Sequence, residues 1–334
     1  MWVSSAPLRV SLAGGGTDLP SYASRFGGTV LGAAIDLRVT VVGRDRPAGA
    51  LPGTGPRVCL DSCGYPDGTD QVANPFAREA LRRHARDGDL DLVSFGDVPG
   101  GTGLGSSAAF CVALTAGLVG PGAPGAALAE AAGDIEMTGL GRPVGRQDHY
   151  LAALGGFRLL HFGRDGTVEV EEIHVDTGTR RRLDDELLLF FTGTVRDTGT
   201  VLADQHTRVS RGDADTERRL HEIKELTTSA LTALRGGDVA ELGQLLGRHW
   251  ELKRGLGSRV TLPGIDRAYR TAMAAGATGG KLLGAGGGGF LLLHADARSR
   301  PHVRSAMAES GFIEQPFHFD TAGASLTLLP SATN

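Results

Sequence analysis

The chain has 334 residues, enough for two ordinary domains around a shared cleft or for one large one. Hydrophobic residues at 41% and charged residues at 22% fit a globular protein and argue against a disordered or fibrous one. A formal net charge of −4 with no extended basic stretch gives no bulk attraction to nucleic acid or an anionic membrane, so neither is expected as a partner. Three cysteines, Cys59, Cys63 and Cys111, are too few for a disulfide scaffold, and the first two lack the second ligand pair of a zinc site. Residues 1–9 carry no basic-then-apolar signal pattern, and no apolar run nears the roughly 20 residues of a membrane helix. The expected setting is reducing and cytoplasmic.

In chain order, residues 8–12 and 30–42 read as strands rich in β-branched side chains, with a glycine turn and a short helix near 19–26 between them. Residues 44–57 form a Pro- and Gly-rich loop. Asn74 followed by Pro75 places an N-cap before a proline at the first helical position, and the helix runs to about Arg86 ahead of Gly88. Residues 91–95 form a strand leading into a glycine loop, and Ala-rich apolar helices follow at 106–119 and 126–138. Residues 156–162 and 167–173 pair as a hairpin about 164–166. After the charged stretch 180–186, a buried strand at 187–192 begins a second domain.

In that domain Leu220, Ile223, Leu226, Leu231 and Leu234 form a helical stripe closed by Gly236. Val239, Leu242, Leu246 and Trp250 form another that starts at Asp238. A third helix covers 265–275. Then come a strand, a glycine run, a strand at 290–294, a helix near 302–310 and a last strand at 325–329. Strands and helices mix in both halves, giving an α+β or α/β class.

The 51 glycines concentrate in runs at 14–16, 100–105 and 284–289. The middle run, Gly100, Gly101, Thr102, Gly103, Leu104, Gly105, Ser106 and Ser107, joins the end of a strand to the start of an apolar helix. Unpaired N–H groups at such a start carry partial positive charge and stabilise an anion. Glycines let the backbone wrap phosphate oxygens, and a hydroxyl at Ser106 or Ser107 can ligate magnesium. Ser106 stands where a Walker loop has lysine, so this is not a P-loop NTPase. The third run matches G-x-G-x-x-G, but a strand follows it instead of a helix, which argues against a dinucleotide site. The first run ends in Thr17 and Asp18, either a sugar-binding carboxylate or a cap for the next helix. Read singly, each run is more often a plain turn.

Together, the order and spacing of the three runs resemble the GHMP kinases, the superfamily of galactokinase, homoserine kinase and mevalonate kinase. Pro7 and Arg9 with residues 14–18 are similar to its first motif, residues 99–109 to its phosphate loop and 281–290 to its third motif. Within the superfamily the similarity is greatest to the branch that phosphorylates D-glycero-D-manno-heptose 7-phosphate. It is carried by residues 6–20, 145–150 with 155–157, 191–196 with Gln205, and 250–254 leading to 279–290. The similarity spans about residues 6–294.

The resemblance implies an α+β fold of two domains, an N-terminal ribosomal-S5-like domain (1–183) and a C-terminal ferredoxin-like domain (184–334), with the active site in the cleft between them. It implies ATP and Mg2+ as cofactors, a small-molecule sugar phosphate as substrate, and a monomer or homodimer. Asp148 would face the accepting hydroxyl as general base or orienter, and Arg9 would support that aspartate and the transferring phosphoryl group. Ser107 and Glu136 would ligate the metal. Asp18, Gly15, Gly16, Thr17, Arg196, Gly286 and Gly287 would shape the substrate site. Phosphoryl transfer asks for this inventory of positioning groups and charges, without a covalent intermediate.

Two departures from the branch, Arg146 and His149 beside the aspartate, leave the sugar open, and His149 reads as a packed histidine. The expected reaction is transfer of the ATP γ-phosphoryl group to the anomeric hydroxyl of the heptose 7-phosphate, giving the 1,7-bisphosphate. Another sugar (galactose, fucose or an unphosphorylated heptose) or a non-catalytic sugar sensor on the same fold are the alternatives. A phosphorylated acceptor needs a second anion site, for which composition offers Arg196, Lys253 and Arg254.

Overall fold

The computed structural model describes residues 1–45, 57–59, 63–64, 68–84, 90–195 and 198–330. The expected Pro/Gly loop therefore falls mostly outside the described residues, as does Arg196. The N-terminal part contains β1 (Trp2–Ala13), α1 (Pro20–Phe26), β2 (Gly28–Asp45), β3 (Arg57–Cys59), β4 (Cys63–Gly64), α2 (Pro75–Arg83) and β5 (Leu90–Gly96). It continues with α3 (Ser106–Val119), α4 (Gly125–Asp134), α5 (Gln147–Leu154), β6 (Phe157–Phe162), β7 (Val168–Glu172) and α6 (Thr177–Glu186). Next come β8 (Leu187–Phe191), α7 (Thr198–Ser210), α8 (Ala214–Arg235), α9 (Val239–Arg254) and α10 (Pro263–Ala274). The chain closes with β9 (Gly279–Leu282), β10 (Phe290–His294), α11 (Arg300–Glu309), β11 (Ile313–Glu314) and β12 (Ser325–Leu328). The class is α+β.

The first sheet runs β12-β1-β2-β5-β3-β4. Strand β2 is long enough to pair with β6 through residues 28–33 and with β5 through residues 39–45, while β1 lies along its other edge. The β1–β2 register shifts between Pro7 and Leu8 and again between Ser11 and Ala13. Such irregularities re-aim side chains, and here they bracket Arg9 and Ser11. Helix α3 is apolar on every side and is buried along most of its length beneath this sheet, as an all-round hydrophobic helix must be.

The second sheet is antiparallel, in the order β11-β8-β10-β9. Helix α9 lies close against β9 because Gly243 and Gly279 face each other; a Cβ on Gly279 would sit 1.9 Å from the Gly243 carbonyl oxygen. That close approach carries the end of α9 to the loop after β9. A hydrophobic core under the second sheet includes Leu188, Phe190, Trp250, Leu291 and Leu293.

The expected helix starts are present. Asn74 accepts a hydrogen bond from Ala77 N and Asp238 from Glu241 N. The break expected at 183/184 falls inside α6, and β12 returns to pair with β1 from Trp2–Leu328 to Ser5–Ser325. The first sheet thus takes an outer strand from the far end of the chain. Cys111 is free and buried, whereas Cys59 is disulfide-bonded, a departure from the fully reduced set expected from composition. No helix among the described residues is long and apolar enough to cross a membrane.

Candidate active site

A cleft of about 720 Å3 runs between the two sheets. Arg9 and Ser11 from β1 line its floor, the 100–107 loop and the start of α3 form one wall, and the start of α5 forms another. The opposite side comes from α7, the end of α9 and the loop after β9.

The loop is shaped for close backbone approach. Gly105 precedes α3 with φ 78°, and a Cβ there would stand 3.3 Å from both Arg9 and Asp148. No side chain caps α3, so its first N–H groups face the cleft without a side-chain acceptor, the arrangement that receives an anion. Gly103, at φ 84°, fits against the loop after β9, where a Cβ would lie 2.7 Å from the Leu283 carbonyl oxygen. Gly100, Gly101, Gly103, Gly105, Ser106 and Ser107 line the cleft. Thr102 and Leu104 are buried instead. The Thr102 carbonyl accepts from Phe290 N at 3.1 Å and the Leu104 carbonyl from Arg9 N at 3.0 Å, so they pin the loop to β10 and β1.

Arg9 ties three elements together. Its Nε donates to Asp148 Oδ1 at 2.6 Å and its Nη2 to Asp148 Oδ2 at 2.5 Å, while Nη1 donates to the Gly103 carbonyl at 2.6 Å. Such a two-pronged guanidinium–carboxylate pair fixes orientation as well as charge. The Arg9 side chain is only 6% exposed and the Asp148 side chain 25%, so the carboxylate keeps a face toward the cleft. Asp148 sits in the first turn of α5, where the helix dipole favours its negative charge.

Glu136 occupies a single π-helical turn, Ile135–Gly139, directly after α4. Such a turn shifts side-chain register and is common at functional sites. The Glu136 side chain is 1% exposed; Oε2 accepts from Ser107 Oγ at 3.4 Å and lies 3.1 Å from Arg142 Nη1. Oε1 has no hydrogen-bond partner among the described residues and lies 3.3 Å from His149 Nε2. The carboxylate oxygen beside the cleft-lining Ser107 hydroxyl is Oε2, and the two groups together would hold a Mg2+ ion, which takes few protein ligands and draws the rest from phosphates and water. No cluster of three or more His, Cys, Asp or Glu suited to a metal occurs among the described residues. Ser107→Ala is accordingly expected to shift the Mg2+ dependence of activity to higher concentration; an unchanged metal titration would contradict the ligand role.

Asp18 is 5% exposed and its carboxylate is gripped by Gln147, whose Nε2 donates to Oδ1 at 2.7 Å and whose backbone N–H donates to Oδ2 at 3.3 Å. Burial, reinforced by the charge of Asp148, raises its pKa to about 6. The folded protein thus holds this proton more tightly than the unfolded chain does, so stability falls as pH rises from about 4 through 6. Asp18→Asn, which removes the ionisation, should raise the melting temperature at pH 8, by an amount worth about 2–3 kcal/mol at most, and change little at pH 4. A thermal melt series across that range checks it; an equal shift at both pH values would contradict the assignment.

The other expected site residues divide. Gly15 and Gly16 line the cleft, and Ser11 Oγ and Gln147 Oε1, both buried without hydrogen-bond partners among the described residues, lie beside Gly15. Thr17 turns inward and donates to the Gly14 and Thr29 carbonyls. Gly284 and Ala285 face the cleft, whereas Gly286 and Gly287 pack on Val260. Neither Arg146 nor His149 lines the cleft: Arg146 reaches Glu130 and Asp134 on α4, and His149 is buried against Glu136. Arg254 pairs with Glu251 and Asp266, away from the cleft.

Sequence reasoning missed Gln147, Gln205, His249 and Lys281 as lining residues, along with Asn74, Phe76, Phe95 and Phe110 at the far end. That end is a largely apolar surface, with Phe95 61% exposed, suited to a flat ring such as a nucleobase. The signal for Lys281 was a lysine written into a glycine-rich and apolar stretch with no acidic neighbour.

Residues 71–156 match the GHMP kinases N terminal domain and residues 230–312 match the GHMP kinases C terminal. The chain is 28% identical to D-glycero-alpha-D-manno-heptose 7-phosphate kinase of Campylobacter jejuni, over 96% of this chain and 97% of the relative. It is 26% identical to L-fucokinase/L-fucose-1-P guanylyltransferase of Bacteroides fragilis, over 91% of this chain but 36% of that longer protein. Among solved structures, a D-glycero-D-manno-heptose 1-phosphate kinase from Bacteroides thetaiotaomicron superposes with a TM-score of 0.79 at 24% identity, covering 99% of this chain and 100% of that one. At that identity the superposition speaks to fold.

Proposed function

The chain belongs to the GHMP kinases and is a sugar kinase, and from that premise we propose that it transfers the γ-phosphoryl group of ATP to the anomeric hydroxyl of D-glycero-D-manno-heptose 7-phosphate, giving the 1,7-bisphosphate. The observation that carries this reading is the Arg9–Asp148 pair set against the phosphate loop, with the same guanidinium bonded to the Gly103 carbonyl. It couples the group that addresses the acceptor to the backbone that addresses the donor. The Campylobacter jejuni relative supports the choice of sugar.

In the proposed reaction the triphosphate lies on the amides of Gly101, Gly103, Gly105 and the start of α3. Asp148 accepts the hydroxyl proton as the sugar oxygen attacks. A bond forms from that oxygen to the γ-phosphorus, the bond from phosphorus to the β–γ bridging oxygen breaks, and ADP leaves. Arg9 holds Asp148 in line with the loop. Ser107 and Glu136 would hold Mg2+, which when bound neutralises phosphate charge. Ser11 and Gln147 offer unpartnered oxygens to sugar hydroxyls.

The test is ADP release over a panel of sugars and sugar phosphates, with the new phosphate located by phosphorus NMR. Turnover on the heptose 7-phosphate with a new anomeric phosphate is expected. Turnover on fucose or galactose with none on any heptose phosphate would replace the acceptor, and fucose is the rival named by the Bacteroides fragilis relative. ATP binding without turnover on any sugar would instead favour a sensor.

A further inference from the structure

Lys253 near the end of α9 and Lys281 in β9 both line the cleft and are more than nine-tenths buried, at 8% and 2% exposed. Neither ammonium meets a carboxylate within ion-pair distance among the described residues. Lys253 Nζ donates to the Leu282 carbonyl at 2.8 Å and to the Gly284 carbonyl at 2.5 Å. Lys281 Nζ sits 3.4 Å from the Leu12 carbonyl and 3.2 Å from His249 Nδ1. An ammonium has three N–H donors. Two are engaged on each lysine, so one on each remains, and the cleft is the open space beside both.

Buried cations without counter-charge are costly, and a fold retains them where an anion completes the site. The nearest guanidinium does not supply that charge: Arg9 is itself cationic and spends its donors on Asp148 and Gly103. Burial, with Arg9 nearby, draws the Lys253 pKa down to about 7, and burial together with Lys253 and Arg9 draws that of Lys281 well below its ordinary value. His249 is pushed down by burial and the same two lysines, and an imidazole, neutral or protonated, supplies no negative charge. The nucleotide has its own amide-lined loop, which meets the loop after β9 through Gly103. Lys281 lies instead against Leu12, next to Ser11, on the side where Gly15, Gln147 and Asp18 gather polar groups suited to a sugar.

We propose that Lys253 and Lys281 together form the subsite for a phosphate already carried by the acceptor, so that this cleft selects a sugar phosphate over a neutral sugar. The proposal deepens the reading of the acceptor given above and rests on it. It also narrows the candidates from composition: Lys253 is retained, Arg254 is paired elsewhere, and Lys281 is added.

Equilibrium titration of the full chain, without ATP, separates this claim from the kinase reading, because it needs no turnover. The probes are D-glycero-D-manno-heptose 7-phosphate and the same heptose without its phosphate. The phosphorylated probe is expected to bind about 30-fold more tightly, the effect of one or two charge-assisted hydrogen bonds. Lys253→Met and Lys281→Met should each reduce that ratio to about threefold or less, while binding of a non-hydrolysable ATP analogue persists. Equal binding of the two probes, a ratio indifferent to both substitutions, or loss of nucleotide affinity in place of the ratio would each overturn the proposal. Should the variants fail to fold, crystals of the unaltered protein soaked with the heptose 7-phosphate decide it. Its phosphate is expected on both ammonium groups, and a phosphate seated elsewhere overturns the subsite.

Discussion

Asp148→Asn should lower kcat by about 1,000-fold, within the range ascribed to a positioned general base, while ATP still binds. The amide keeps the shape of the side chain and one acceptor oxygen, so Arg9 retains part of its anchorage. What it loses is the charge that draws a hydroxyl proton. Because the substitution lies on the α5 side and leaves the loop backbone untouched, an ATP analogue should bind within about threefold of the unaltered protein, which places the loss in the chemical step. Single-turnover kinetics beside an ATP-binding titration read the two effects separately. Lost ATP affinity with intact turnover per bound complex would contradict the assignment.

Arg9→Lys, nominally conservative, should lower kcat/KM by about 100-fold. An ammonium cannot span both Asp148 oxygens and the Gly103 carbonyl with the planar fork that makes those three bonds. Charge is kept and orientation is lost, so the damage should appear in turnover more than in folding. Arg9→Met removes the charge as well and leaves Asp148 without its partner; breaking so enclosed a pair costs about 3–5 kcal/mol where it is fully buried, and Asp148 is partly exposed, so a smaller loss of stability is expected. Near-normal kinetics for the lysine variant would show that the fork does not set the geometry.

Much of this fold could be read from local chemistry. The bounds of α3 follow from a glycine loop ending at Ser106 and an apolar run ending at Gly120, and α8 and α9 follow from leucine stripes, the first closed by Gly236 and the second opened by Asp238. Helices α5, α6 and α7 were not expected as helices. Helix α5 is eight residues of weak pattern, and both α6 and α7 lack a clear apolar stripe; tertiary contacts and, for α6, an Asp176 cap decide their state. The return of β12 to β1 is a long-range pairing that no local pattern encodes.

The site was legible where it depends on motif and hidden where it depends on packing. Arg9, Asp148 and Ser107, expected from motif resemblance, line the cleft, whereas Glu136 lies buried behind Ser107 and does not line it. Thr17, Thr102 and Leu104 share those motifs yet hydrogen-bond inward, a distinction set by backbone direction within a loop and not by residue type. Arg146 and His149 flank Asp148 in sequence, but the turn of α5 sends them to α4 and Glu136, so neither departure from the branch lines the cleft. Lys281 was read only as part of a glycine motif, and its burial becomes visible only when β9 is placed against α9.

A crystal structure of the protein with a non-hydrolysable ATP analogue, Mg2+ and the heptose 7-phosphate tests the coupling of donor and acceptor through Arg9. The triphosphate should lie on the amides between Gly101 and Ser107, with the anomeric oxygen about 2.6–3.2 Å from an Asp148 carboxylate oxygen and directed at the γ-phosphorus. A nucleotide bound elsewhere, or an anomeric oxygen turned away from Asp148 in the closed ternary complex, would contradict it.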